Sequence, residues 1–190
     1  MRVFIAIELP EAIKNQLAGL QSELKKSRAD AAWVKPALSH ITLKFLGEIN
    51  EETCRKVFAA VNRTAGHFTP FAAALSSVDA FPSINSPRAI WAGIGEGAVQ
   101  LKEIASRLEL ELAGEDIDTE EEREFKAHAT IARTRSSANS GELARRLKEA
   151  AEKPFASPGF RVDAITVFKS TLSPKGPAYE PLLRAPLGIK

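Results

Sequence analysis

The chain has 190 residues, enough for one substantial core or for two small lobes that share one, and we read residues 1–190 as a single unit. Its 44% hydrophobic and 26% charged residues are ordinary for a soluble globular protein; no apolar run nears the roughly 18 residues of a membrane span, and the lone Cys54 excludes an intrachain disulfide. The 26 basic and 24 acidic residues nearly cancel, but residues 114–124 hold seven acids and one base, leaving 25 bases against 17 acids elsewhere, an excess that suits a polyanionic partner.

Arg2 to Leu9 is apolar and β-prone, the pattern of a buried first strand. Glu8 and Pro10 interrupt that run before it could serve as a signal-peptide core, so no export signal is read and a cytoplasmic location is expected. Pro10 suits the first turn of a helix, and Ile13, Leu17, Leu20 and Leu24 then share one helical face that ends near Ser27. Ala31 to Lys35 leads through Pro36 into a strand at His40. After Gly47, Asn50 is placed to cap a second helix, with Glu51 and Glu52 in its first turn and Cys54, Val57, Phe58 and Val61 at helical spacing. Cys54 there reads as a small core residue. Phe71 to Phe81 and Arg88 to Ile94 flank a turn over residues 82–87, the pattern of an antiparallel hairpin. A third helix is expected from about Gly97 to Leu112, followed by the acidic segment as a solvated loop. The His128 strand comes next, then a helix from Ser140 to Glu152 and two closing strands, Arg161 to Lys169 and Ala178 to Leu187, joined through residues 173–177. The order predicts an α+β fold of antiparallel sheets backed by helices.

Two stretches stand out: Ser39-His40-Ile41-Thr42-Leu43-Lys44-Phe45-Leu46-Gly47, and its altered copy Ala127-His128-Ala129-Thr130-Ile131-Ala132-Arg133. In a strand, residues two apart share a face, so His40 looks the same way as Thr42, and His128 the same way as Thr130. Ile41, Leu43 and Phe45 alternate onto the other face as core, as do Ala129 and Ile131. Each histidine strand is followed by a helix, and the histidines are 88 positions apart, which hints at an internal duplication. A third His-x-Thr, His67-Phe68-Thr69, lies between Gly66 and Pro70 and reads as a helix-to-strand connection without functional weight.

If the two strands lie side by side, two imidazoles and two hydroxyls converge. Zinc catalysis usually needs three protein ligands, and no third His or Cys lies near either motif. Asp116-x-Asp118-x-Glu120 begins like a calcium loop, but Glu121 stands where the glycine should be and Ala127 where the closing glutamate should be. Neither a Gly-x-Ser-x-Gly turn nor a phosphate-binding Gly-x-x-x-x-Gly-Lys loop is present. No metal or other cofactor is therefore expected. Histidine, with an ordinary pKa near 6.5, suits concerted acid–base work: one ring removes a proton while the other supplies one. Phosphodiester cleavage fits this pairing. Thr42 and Thr130 could hold non-bridging oxygens, with Lys44, Lys126 and Arg133 offsetting the growing negative charge. By alternation Lys44 and Lys126 should share the histidine face, whereas Arg133 should point away from His128 unless a bulge redirects it.

The paired His40-Ile41-Thr42-Leu43 and His128-Ala129-Thr130-Ile131 resemble the motifs of the two-histidine (2H) phosphoesterases, more narrowly the RNA 2′,3′-cyclic phosphodiesterases historically called 2′-5′ RNA ligases. The likeness extends through Arg2-Val3-Phe4-Ile5-Ala6, Trp33-Val34-Lys35-Pro36, Phe81-Pro82-Ser83, Arg88 to Gly93 with Trp91, and Ala178-Tyr179-Glu180. It implies a bilobed fold with pseudo-twofold symmetry, two antiparallel sheets around a central cleft, and interleaved lobes with one motif each. It also implies opening of an RNA 2′,3′-cyclic phosphate to a 2′-phosphate, with His40 as proton donor, His128 as proton acceptor, and Thr42 and Thr130 on the phosphate. Arg133 matches the family's arginine five residues after the second histidine, while Lys126-Ala127 replaces its frequent Arg-Pro and so alters how substrate is placed. The expected partner is RNA with a cyclic-phosphate end, tRNA fragments included, bound by a monomer away from membranes; Trp91 reads as core and Tyr179 as a base-stacking residue. Two alternatives stay open: 2′-5′ ligation at the same site, and an RNA-end-binding module without turnover.

Overall fold

The computed structural model describes residues 1–117, 124–153, 155, 157–174 and 176–188. Its elements run β1 (Arg2–Glu8), α1 (Glu11–Lys25), β2 (Ala31–Trp33), a 3-10 turn (Pro36–Leu38), β3 (His40–Glu48), α2 (Glu51–Gly66), β4 (Phe71–Ala73), β5 (Leu75–Ser83), β6 (Ser86–Ile94), α3 (Ala98–Ala113), β7 (His128–Thr134), α4 (Ser140–Glu152), β8 (Phe160–Val162), β9 (Ala164–Ser173) and β10 (Gly176–Pro186). Local chemistry explains most boundaries. Asn50 caps α2, its side chain accepting from the Thr53 N–H at 2.8 Å, and Glu51 and Glu52 lie at the positive end of the helix dipole. Pro10 precedes α1 with extended backbone, and Ile13, Leu17 and Leu24 bury one face of that helix together with Gln21.

The strands form an antiparallel sheet in the order β10-β9-β1-β3-β7-β6-β5, with β2 also on β7, and a separate β4–β8 pair. The centre of the sheet is its weakest seam: β3 and β7 share a single ladder pair, Ile41 with Ala129, whereas β1 meets β3 over seven pairs. The two expected sheets are thus two halves of one, β10-β9-β1-β3 on one side and β7-β6-β5 with β2 on the other. The order β1-α1-β3-α2-β4-β5 is repeated by β6-α3-β7-α4-β8-β9. The halves exchange strands, since β5 pairs with β6 of the second repeat and β9 with β1 of the first.

One apolar cluster lies beneath the sheet, joining Ile5, Ile7 and Ile41 to Leu17 of α1, Val61 of α2, Leu108 of α3 and Leu147 of α4. Each such side chain, wholly withdrawn from water, contributes about 1.5–3 kcal/mol. Cys54 is buried on α2, and burial pushes its thiol pKa up, as befits a packing residue.

Several expected boundaries shift. The strand read over Phe71–Phe81 breaks at Ala74, and the one over Arg161–Lys169 breaks at Asp163; in both repeats the short first piece, β4 or β8, leaves the main sheet to pair with its counterpart. The turn between β5 and β6 is tighter than residues 82–87, needing only Ile84 and Asn85. His67 closes α2 as its C-cap and contacts Arg107 of α3 at 2.8 Å, in a helix-to-strand connection as expected. In the acidic segment, Glu115 pairs with Arg63 at 2.8 Å and Glu124 with Lys102; the loop reading for residues 118–123 lies outside the described residues. Among the described residues no helix is long and apolar enough to cross a membrane.

Candidate active site

Antiparallel register decides what the seam brings together. With Ile41 opposite Ala129, one step either way sets His40 opposite Thr130 and Thr42 opposite His128. Ile41 and Ala129 are completely buried on the helix side, so the four polar side chains share the other face. There Arg2, His40, Thr42, Thr130, Arg133, Phe45 and Tyr179 line a cavity of about 240 Å³.

The two imidazoles are held in the same way. Nδ1 of His40 donates to the Leu38 carbonyl at 2.8 Å, and Nδ1 of His128 donates to the Lys126 carbonyl at 2.7 Å. A carbonyl only accepts, so each Nδ1 carries the hydrogen and each Nε2 is left for a ligand. Both bonds reach two residues back along the chain. The surroundings differ. Phe4 lies 4.9 Å from the His40 ring and Tyr179 lies 5.5 Å away, edge-on. Burial in this aromatic nest pulls the His40 pKa below its usual value; the Leu38 carbonyl opposes that pull, and charge on His128 adds to it. Burial also raises the Tyr179 pKa. His128 instead packs edge-on against Trp91 at 5.6 Å, and the Lys126 ammonium sits 4.3 Å over the same indole. Trp91 is buried as expected, yet it also walls His128. A Cβ at Gly93 would come within 3.0 Å of Trp91 Cζ3, so glycine leaves room for that ring.

Beyond each motif the strand is bulged, which corrects the readings of Phe45 and Lys44 and meets the condition set for Arg133. In β3, Ala6 faces Thr42 while Ile5 faces Lys44, so Leu43 is the extra residue. In β7, Trp91 faces Thr130 while Ile90 faces Ala132, so Ile131 is the extra one. Each bulge reverses alternation. Arg133 is turned onto the histidine face and into the cavity, the redirection that simple alternation denied it. Phe45, expected in the core, is 59% exposed on the same face. Lys44, expected beside the histidines, goes to the helix side, where its buried ammonium pairs with Glu109 of α3 at 3.1 Å. Lys44 is therefore not at the cavity. Neither His128 nor the exposed Lys126 near it is among the residues that line this cavity; register alone sets His128 on the cavity's face of the sheet.

The β7 bulge has a dedicated support. Gln21 of α1, 1% exposed, donates from Nε2 to the Val34 carbonyl at 2.7 Å and to the Ile131 carbonyl at 3.1 Å; the latter also accepts from the Val34 N–H at 2.9 Å. Sequence reasoning passed over Gln21, Arg2 and Phe45. Gln21 had a signal, a polar residue four positions after Leu17 and eight after Ile13 on the apolar stripe of α1. Arg2 alternates onto one face with Phe4, whereas nothing in the pattern announces Phe45. Among the described residues no group of three or more His, Cys, Asp or Glu side chains is placed to hold a metal.

The cavity can hold an anion among the Thr42 and Thr130 hydroxyls, the Arg133 guanidinium and the His40 imidazole, with His128 on the same face of the adjoining strand. Comparison with known proteins gives the family. The family model described as LigT like Phosphoesterase matches twice in succession, over residues 7–91 and 94–179, so each match contains one histidine motif. An RNA 2′,3′-cyclic phosphodiesterase of Methanocaldococcus jannaschii is 33% identical over 95% of this chain and 97% of its own length. A protein of the same description from Thermus thermophilus is also 33% identical, over 94% of this chain and 86% of that one. In three dimensions the crystal structure of the Thermus thermophilus protein TT0787 superposes with a TM-score of 0.80 at 28% identity, covering 99% of this chain and 98% of that one. With the model repeated across both halves and the fold shared end to end, the chain belongs to the LigT-like phosphoesterases of the 2H superfamily.

Proposed function

We propose that residues 1–190 act as one two-lobed RNA 2′,3′-cyclic phosphodiesterase, cutting the P–O3′ bond to leave a 2′-phosphomonoester. The observation that carries this reading is the matched pair of imidazoles, each with Nδ1 tied to its own strand and Nε2 left for a ligand, set by the β3–β7 register on one face with Thr42 and Thr130. Water would attack phosphorus as it gives its proton to Nε2 of His128. O3′ would leave as it takes a proton from Nε2 of His40, and the two rings would return to their starting states by exchange with solvent. Thr42 and Thr130 would hold the non-bridging oxygens, and the Arg133 guanidinium would match the added negative charge. Lys126 would supply a further positive charge on the His128 side.

Burial favours neutral His40 before substrate arrives, so its donor role requires the substrate. A phosphodiester carries a negative charge, and a nearby negative charge raises the pKa of an imidazole. The protein should therefore take up a proton when it binds. The named relatives support RNA ends as the substrate class.

The test is incubation with a short RNA ending in a 2′,3′-cyclic phosphate, with chelator present, and identification of the product. The expected product is a 2′-phosphate. A 3′-phosphate would keep the two-histidine chemistry and exchange the roles of His40 and His128. Joined RNA would mean ligation, and tight retention without product would mean an end-binding module.

A further inference from the structure

The cavity at the histidines does not end there. A second one, of about 540 Å³, shares Val34, Leu38, Arg133 and Tyr179 with it and adds Trp33 and Lys35. A third, of about 400 Å³, shares Arg135 with the second and is formed by Arg88, Thr134 and the serines that lead into α4. Shared lining residues set the three side by side, as a trough that leads from the seam, across β2 and the end of β7, to the β5–β6 turn.

Its chemistry is one-sided. In a chain with 26 bases and 24 acids, Arg2, Lys35, Arg88, Arg133 and Arg135 line these cavities, and among the described residues no carboxylate does. Among the described residues Arg88, Arg133 and Arg135 form no ion pair, unlike Arg63, Arg107 and Arg145 on the helices. Arg133 and Arg135 are two apart where β7 runs out, so they project on one side roughly 7 Å from each other. The Arg135 N–H bonds the Asp30 carbonyl at 2.9 Å, and the Thr134 hydroxyl bonds the Pro87 carbonyl at 2.8 Å. Those bonds fix the backbone that carries both arginines. The middle cavity differs from its neighbours in having an apolar floor of Ala31, Trp33, Val34 and Pro177, with Lys25 poised 5.6 Å over the Trp33 ring.

We propose that this trough carries the single-stranded RNA on the 5′ side of the reacting phosphate, with an unstacked base against Trp33 and a backbone phosphate between Arg88 and Arg135. The inference rests on the cyclic-phosphodiesterase reading. A cyclic phosphate terminates its strand, so a longer substrate continues only from the O5′ side of its last nucleoside. Alternating cationic and aromatic surfaces are how single strands are held without sequence readout. The substrate is then an oligonucleotide end, with mononucleotide cyclic phosphates bound more weakly.

The experiment compares adenosine 2′,3′-cyclic phosphate with RNA di-, tetra- and octanucleotides ending in the same group, across a range of salt, for the wild type and an Arg88→Ala/Arg135→Ala variant. KM should fall as the strand lengthens. In the variant, KM for the octanucleotide should rise about 10²-fold while mononucleotide turnover is unchanged, two charge-assisted contacts having been lost. The slope of log KM against log salt should shrink by about 0.7 for each phosphate contact removed. Equal KM at all lengths, or a variant indistinguishable from wild type on the octanucleotide, overturns the trough and leaves the reaction standing. If no substrate is turned over, the functional reading fails. Fluorescence anisotropy with an unreactive 3′-phosphorylated octanucleotide then decides the trough on its own: weaker binding by the variant supports it, and equal binding ends it.

Discussion

β3 and β7 are near twins with different neighbours. Both present a histidine and a threonine on one face, both tie Nδ1 to the carbonyl two residues back, and both bulge immediately after the threonine. Yet five residues after His40 the bulge delivers Phe45 to the cleft, and five residues after His128 it delivers Arg133. His40 lies in an aromatic nest that disfavours its charge, while His128 lies beside Trp91 and Lys126. Backbone symmetry positions the pair, and side-chain asymmetry gives each member different surroundings.

The strongest way to break the comparison is to remove one twin at a time. His40→Ala and His128→Ala should each lower kcat by about 10² or more, and the double variant should lose less than the product of the two, since both rings serve one step. Steady-state kinetics on a cyclic-phosphate substrate checks this. A variant that kept full turnover would remove its histidine from the mechanism. Next in size is Arg133→Ala, which should cost about 10² in kcat, because a cation facing the developing charge is lost. Phe45→Ala, at the matching position, should leave kcat nearly intact and act on KM. Equal effects at the two positions would show that the asymmetry is not functional.

Gln21→Leu keeps the volume and removes the amide that holds the β7 bulge. Leaving the Val34 carbonyl short of a donor should cost about 1–3 kcal/mol in denaturant unfolding, and kcat should fall with it, as in Arg133→Ala. Combined with Arg133→Ala, the kcat losses should fail to add, whereas a merely structural glutamine would give additive losses.

A smaller effect separates the two imidazoles by pH. The folded protein binds a proton at His40 less readily than the unfolded chain does, so neutral His40 stabilises the fold above about pH 6.5, and that contribution is lost as pH falls through the lowered pKa. The melting temperature of His40→Asn, whose amide can still donate to Leu38, should decline less on acidification than that of the wild type. Smallest of all, Lys44→Met should leave kcat and KM unchanged, because the Lys44 ammonium meets Glu109 on the far side of the sheet.

Much of this site was legible in the sequence because a strand's period of two is simple. His40 with Thr42 and His128 with Thr130 fall on one face, with Ile41, Ala129 and Ile131 buried beneath them. His67 was separable from its namesakes by Gly66 and Pro70 alone. The same periodicity misplaced Lys44 and Phe45 because an inserted residue leaves no mark on composition. Leu43 and Ile131 are apolar whether the strand is regular or bulged, and only the partner strands reveal that they are extra. The breaks at Ala74 and Asp163 were hidden for a related reason, since β4 and β8 are β-prone whichever sheet they join. The stripe of α1 was read through Leu20, which is only partly buried, whereas the helix turns Gln21 inward to bond two carbonyls from sequence-distant segments.

The exchange of β5 and β9 between the halves bears on the lineage of the molecule. A chain of half this length would own one of the two motifs, and its last strand would lack the partner strand it has here. To bring two motifs to one seam it would have to pair with a second copy, and exchanging last strands as here would make that working form an intertwined dimer whose abundance followed concentration. Joining the copies end to end removes the dilution problem. It also ends the rule that a change beside one histidine must be repeated beside the other, so each flank is free to acquire its own chemistry.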